Sequence, residues 1–250
     1  MFAAAFGAGA VNSIAGGGTL ISFPALVWLG LDPKMASATN TIALWPGLAG
    51  SLWGYRRELA GGRPFIIRLG ITSLIGGTAG TVLLIQTPSL TFARLVPYLI
   101  LFATLLFTLQ EPLARRLKLN RPSDQDPAQG WWIAAIILQF FSAMYGAYFG
   151  AGNGILILAV LGLLGLSDIH IANGLKIILA ICLNSVAVVG FSISHLVVWT
   201  PALVMVAGAI AGGYAGASGA RRLRPSLVKR AVIGIGFMIT LLMLWRVRHL

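Results

Sequence analysis

Glycine clusters interrupt the apolar runs of this chain, and they recur at one spacing. Phe6-Gly7-Ala8-Gly9-Ala10-Val11-Asn12-Ser13-Ile14-Ala15-Gly16-Gly17-Gly18 stands near the start, and a second stretch, from Phe141, closes on Gly150-Ala151-Gly152-Asn153-Gly154. Gly16 and Gly152 are related by a shift of 136 positions (152 − 16). The same shift relates Gly18 to Gly154, Asp32 to Asp168, Ala36 to Ala172, and Gly54 to Gly190. It also relates Gly76-Gly77-Thr78-Ala79-Gly80 to Gly212-Gly213-Tyr214-Ala215-Gly216. One gap-free shift over that distance marks an internal duplication. Glycine costs about 1 kcal/mol in a helix interior, so its clusters signal breaks or close backbone approaches. A duplicated, glycine-broken apolar chain reads as a transporter whose site lies between its halves.

Composition supports a membrane chain. Of 250 residues, 58% are hydrophobic and 10% charged, with a mean hydropathy of +0.89, where soluble proteins carry about 25% charged residues. Several runs approach the ~20 residues that cross a bilayer. Met1 to Phe6 has neither a basic n-region nor a cleavage site, so no removable signal peptide is expected. The lone Cys182 excludes an internal disulfide. A net charge of +12 would suggest nucleic acid in a soluble protein. Here the basic residues sit at the ends of apolar runs, as the positive-inside rule requires. The expected partners are the lipid bilayer and a small anion, with no nucleic acid; a homodimer is compatible with the sequence.

The fold expected is all-α and membrane-integral: two inverted repeats of glycine-broken helices with about 8–10 membrane segments. The apolar segments fall near 2–15, 19–31, 36–55, 65–86 and 90–111, then 131–149, 155–166, 171–193, 200–220 and 227–246. This gives a first repeat over 1–111, a cytoplasmic linker over 112–130 and a second repeat over 131–250. The linker is the most polar stretch and holds Pro112, Pro122 and Pro127. Segments 19–31 and 155–166 are short for a span, so each is a re-entrant hairpin arm or a short helix. Arg115, Arg116, Lys118 and Arg121 put the linker in the cytoplasm. Arg56, Arg57, Arg63 and Arg68 lie inside by the same count, while the matching 192–199 loop lies outside. Matched loops on opposite sides mean inverted repeats. Arg246 and Arg248 then fall outside, against the rule.

Carboxylates are informative by position. Asp32, Glu58, Glu111, Asp124, Asp126 and Asp168 all fall at segment ends or in loops. Proton-driven pumps bury such groups in the bundle. Lys176 is the opposite case, a basic residue well inside an apolar run, where an ammonium costs ~2.5–3.5 kcal/mol and an anionic substrate would compensate it. The competing reading is that Lys176 snorkels to the interface. Its repeat partner is Asn40, in Ser37-Ala38-Thr39-Asn40-Thr41, so this place is polar in both halves. Backbone N–H groups near Gly16, Gly17, Gly18 and the second cluster can form an anion cradle at helix starts. Candidate substrate-binding residues are therefore Asn12, Ser13, Gly16, Gly17, Gly18, Thr39, Asn40, Trp45, Asn153, Asn173 and Lys176. Trp45, beside Pro46, sits mid-segment as a candidate kink lining a cavity, whereas the other tryptophans read as interfacial. Gly76-xxx-Gly80 and Gly208-xxx-Gly212-xxx-Gly216 read first as helix-packing stripes. His170, His195 and His249 lack metal-ligand spacing, and no catalytic constellation or cofactor motif is present.

Taken together, Asn12-Ser13-Ile14-Ala15-Gly16-Gly17-Gly18-Thr19-Leu20-Ile21-Ser22-Phe23-Pro24 and Ala36-Ser37-Ala38-Thr39-Asn40-Thr41 resemble the TauE/SafE sulfite exporter family. The second-half equivalents are Gly150 to Gly154 and Ala172-Asn173-Gly174-Leu175-Lys176. The resemblance implies a multi-pass transporter of the prokaryotic cytoplasmic membrane, moving sulfite, sulfonates or related small anions. The second half has Gly152-Asn153-Gly154 in place of the glycine triplet and lacks the Thr-Asn pair, so the half-sites are asymmetric. An anion channel, a carrier of short carboxylates and a non-transporting scaffold are the alternatives; an intramembrane enzyme has no residues to support it.

Overall fold

A computed structural model describes residues 1–14, 17–54, 63–119, 129–166, 168–219 and 225–247, and among these it shows ten α-helices and no strand. They are α1 (Phe2–Ile14), α2 (Thr19–Trp28), α3 (Pro33–Gly54), α4 (Arg63–Gln86) and α5 (Ser89–Leu119). The second set is α6 (Gln129–Tyr148), α7 (Asn153–Leu163), α8 (Ile169–Ile193), α9 (Trp199–Gly219) and α10 (Pro225–Val247). Among the described residues four stretches are long and apolar enough to cross a membrane: Pro64–Gln86, Ser89–Gln110, Gln129–Tyr148 and His170–Ile193. Both glycine clusters break the helical path, between α1 and α2 and between α6 and α7.

The duplicated aspartates have a structural use. Asp32 Oδ1 accepts from the N–H groups of Lys34 (2.9 Å) and Met35 (3.3 Å) at the start of α3. Asp168 Oδ1 accepts from His170 (2.8 Å) and Ile171 (3.2 Å) at the start of α8. Both are N-caps, each satisfying donors that a helix start leaves orphaned, a contribution of about 1 kcal/mol. The short helices α2 and α7 also end alike. Leu31 donates to Leu26 and Leu166 to Leu161, closing each last turn over a left-handed glycine, Gly30 or Gly165.

One boundary differs from the sequence reading. Helix α5 does not stop near residue 111 but continues to Leu119, through the first part of the segment expected as linker. The stretch Leu113-Ala114-Arg115-Arg116-Leu117-Lys118-Leu119 is made of strong helix formers, and they carry the helix on past Pro112.

Helices pair across the halves. α1 packs against α9 and α4 against α6; α3 lies against both α8 and α9, α4 against α8, and α5 against α10. The glycine stripes make these contacts close. Gly76 and Gly80 face the carbonyls of Phe140 and Met144, while Gly208 and Gly212 face those of Phe2 and Phe6. A side chain at any of these four glycines would meet the backbone of the neighbouring helix, so the packing reading holds. Outside this core, Ile67, Ile71, Ile75, Ile133, Ile137 and Leu241 are exposed.

Candidate functional site

The second break is tightly pinned. After α6, Phe149 and Gly150 both donate to the Tyr145 carbonyl, and the chain then turns through Gly150 (φ 84°) and Gly152 (φ 76°). Left-handed backbone of this kind favours glycine at both positions. The Tyr145 hydroxyl donates to the Ala151 carbonyl at 2.7 Å, and Ser142 Oγ donates to Asn153 Oδ1 at 2.9 Å. Gly146 leaves room for the Asn153 amide, which a Cβ there would displace. Two side chains one turn apart on α6 therefore hold the start of α7. Ser142 and Tyr145 were not among the sequence candidates, since a serine and a tyrosine in an apolar run carry no distinguishing pattern.

Lys176 lies against the same helix start. A Cβ on Gly154 would stand 3.3 Å from Lys176 Cδ, so the aliphatic stem runs over the first turn of α7. Its ammonium donates to Asn173 Oδ1 at 2.9 Å, one turn earlier on α8. No ion pair involving Lys176 exists among the described residues. An ammonium beside a helix N-terminus, which itself carries about half a positive charge, is an arrangement that an anion relieves.

The first break approaches the second along α5. Gly17 (φ 93°) faces the ring of Phe107, and Gly152 faces Ala103, where a Cβ would stand 3.5 Å from Ala103 Cα. Ala103 and Phe107 are one helical turn apart, about 6 Å along the axis. Both breaks thus meet the same stretch of α5. Phe23 of α2 adds a link, its ring set edge-on to Phe149 at 5.2 Å. Gly18 abuts the Ala8 carbonyl, and Ser22 Oγ donates to the Gly18 carbonyl at 3.1 Å.

The remaining candidates are distributed. Gly16 lies outside the described residues; Ser13 belongs to α1, but its side chain lies outside them too. Asn12 is exposed near the end of α1. Thr39 is fully buried and accepts from the Val198 N–H at 3.1 Å, tying α3 to the turn before α9. Asn40 is buried, and its Oδ1 has no hydrogen-bond partner among the described residues; the same is true of Trp45 Nε1. Asn173, Lys176, Asn153 and Gly154 therefore form one cluster, and Thr39 engages the α8–α9 turn.

Lys34, a basic residue that its sequence context did not single out, is buried. Its ammonium donates to the carbonyls of Ile85 (2.7 Å) and Thr87 (2.9 Å) at the C-terminal end of α4, where a cation complements the helix dipole. Among the described residues no cluster of His, Cys, Asp or Glu could hold a metal ion.

Comparisons with known proteins place the chain among membrane transporters. The family model described as sulfite exporter TauE/SafE matches residues 1–243. A "probable membrane transporter protein" of Haemophilus influenzae is 29% identical over 249 residues, covering 98% of this chain and 93% of the relative. A "probable membrane transporter protein ORF9" of Sinorhizobium sp is 27% identical, covering 97% and 91%. The "probable membrane transporter protein YfcA" of Escherichia coli K12 is 25% identical, covering 91% and 84%. No solved structure matches the chain at a significant level. With several apolar helices and these relatives, this is a multi-pass membrane protein. The chain belongs to the sulfite exporter TauE/SafE family of membrane transporters.

Proposed function

We propose that this protein carries a small sulfur oxyanion or organosulfonate across the prokaryotic cytoplasmic membrane, binding it between two inverted repeats. The observation that carries this reading is the Lys176 ammonium lying beside the start of α7 with an amide as its hydrogen-bond partner. Anion affinity there comes from one charge, amide donors and the positive end of the α7 dipole, the Asn153 and Ile155 N–H groups being already given to the Gly150 and Gly152 carbonyls. A single lysine holds an anion loosely enough for release, whereas a cluster of arginines would trap it. The sulfur class rests on the family's name, and the convergence of both glycine breaks on α5 supports a site between the repeats.

The pairing of helices supports a two-fold relation between the halves. Exchanging α1–α5 for α6–α10 turns the α1–α9 contact into α6–α4, and the α4–α8 contact into α9–α3. The α3–α8 and α5–α10 contacts map onto themselves. Such an exchange fits parallel and inverted repeats alike; the arginines of the first half, read as cytoplasmic, and the matching loop, read as outside, favour inversion with an odd number of crossings in each half. Single cysteines at Ser194 and Ser226, in a Cys182→Ser background, are expected to label from opposite faces of the membrane. Labelling from one face would rule inversion out.

The transport reading is tested with purified protein in liposomes. Saturable uptake of sulfite or a small sulfonate is the expected result. Flux that rises without saturating and carries current would assign an anion channel. Saturable uptake confined to short carboxylates would reassign the substrate, and no flux at all would leave a scaffold.

A further inference from the structure

A groove of about 340 Å³ opens on the outer face of the bundle between α4 and α6, lined by Thr72, Ile75, Ile136, Ile137, Phe140 and Phe141. Its walls are apolar in practice, because the Thr72 hydroxyl is turned inward to the Arg68 carbonyl at 2.8 Å. One turn below Thr72 stands Arg68, and one turn below Ile136 stands Trp132. The Arg68 guanidinium lies 4.7 Å from the Trp132 ring centroid, and Phe65 packs on that ring at 5.2 Å. An apolar trough therefore ends in a cation held on an aromatic face. Among the described residues no carboxylate pairs with Arg68. Its charge count places this end at the cytoplasmic leaflet, where anionic lipids concentrate.

We infer that the α4–α6 groove binds an anionic phospholipid, with an acyl chain against Ile75, Ile137 and Phe141 and the phosphate at Arg68. Its seat over the Trp132 ring restrains the guanidinium, whose N–H groups can grip phosphate oxygens in pairs. Ile75 stands about 10 Å beyond Arg68 along α4, which is the direction an acyl chain takes from its headgroup into the bilayer. Helix pairing alone does not generate such a trough. In the matched α9–α1 pair Val204 stands in place of Arg68, and Gly208 in place of Thr72 closes directly on the Phe2 carbonyl.

Native mass spectrometry of the delipidated protein, titrated with phosphatidylglycerol or phosphatidylethanolamine of identical chains, tests the assignment without reference to transport. Phosphatidylglycerol is expected to bind more tightly. Arg68→Gln should weaken it roughly five-fold, to the level of the zwitterionic lipid, and Arg68→Lys should retain part of the preference. Ile137→Trp, which fills the trough from an exposed position, should lower binding of both lipids. Arg68 and Ile137 both face outward, so the fold is retained in each variant. Equal binding of the two lipids, or full phosphatidylglycerol binding by Arg68→Gln, would overturn the headgroup assignment. Competition by glycerol phosphate as strong as by the whole lipid would overturn the acyl-chain assignment. A lipid-free dimer dispersed by Ile137→Trp would give the groove to a second copy instead.

Discussion

Lys176→Ala will weaken substrate binding at least tenfold while leaving folded protein in the membrane. The ammonium contributes the net positive charge at the start of α7, and a charge-assisted hydrogen bond to an oxyanion is worth roughly 1.5–3 kcal/mol, or one to two decades in affinity. Stability should move the other way or not at all. An intramembrane ammonium costs ~2.5–3.5 kcal/mol to insert, and alanine removes that cost. Apparent affinity in a liposome assay and melting temperature without substrate should therefore separate. Lys176→Arg should rescue in part, since the planar fork presents its donors differently from a point charge. Transport by Lys176→Ala with unchanged apparent affinity would mean that the lysine only snorkels, with amide and backbone donors holding the anion alone.

Gly80→Leu will abolish folded protein. The position on Gly80 where a Cβ would be built collides with the Met144 carbonyl of α6, a backbone atom that cannot swing aside. Overpacking usually costs about 1–3 kcal/mol, and more where nothing can relax. A leucine here forces α4 off α6 along its length. Gly70 supplies the control on the same helix, because its nearest neighbour would be Cys182 Sγ at 3.9 Å. Gly70→Ala should be tolerated, or stabilise by about 0.4–1 kcal/mol through the unfolded chain. The readout is the yield of monodisperse protein after detergent extraction, with its melting temperature. Recovery of Gly80→Leu at the level of Gly70→Ala would show that α4 and α6 are not in backbone contact.

Some of this was legible in the sequence, and physical reasons separate what was from what was not. The breaks at Gly17 and Gly152 could be read because glycine is the residue that takes left-handed backbone freely, so its clustering leaves a mark. Lys176 stood out because a charge inside an apolar run is rare, but its place against the first turn of α7 needed the fold. The Asp32 and Asp168 repeat was visible, but as a spacing; its meaning as a pair of N-caps needed the helix starts. The pairing of α1 with α9 and α4 with α6 could not be read. Membrane helices are apolar all round, so no hydrophobic stripe points to the partner, and the glycine stripes say only that some helix comes close. Tyr145 and Ser142 stayed hidden because their role depends on a turn in the backbone beyond the helix that carries them. Lys34 looked like one more basic flank until its ammonium met the end of α4.

The pairing of α1 with α9 also sets a schedule for biosynthesis. α1 is made before α9, and that partner emerges about two hundred residues later, which at 5–20 residues per second is a delay of roughly 10–40 s. For that interval the face of α1 that packs on α9 waits for its partner helix. The insertion machinery, lipid or a chaperone must cover it meanwhile, so a helix of the second half locks in place one made long before it.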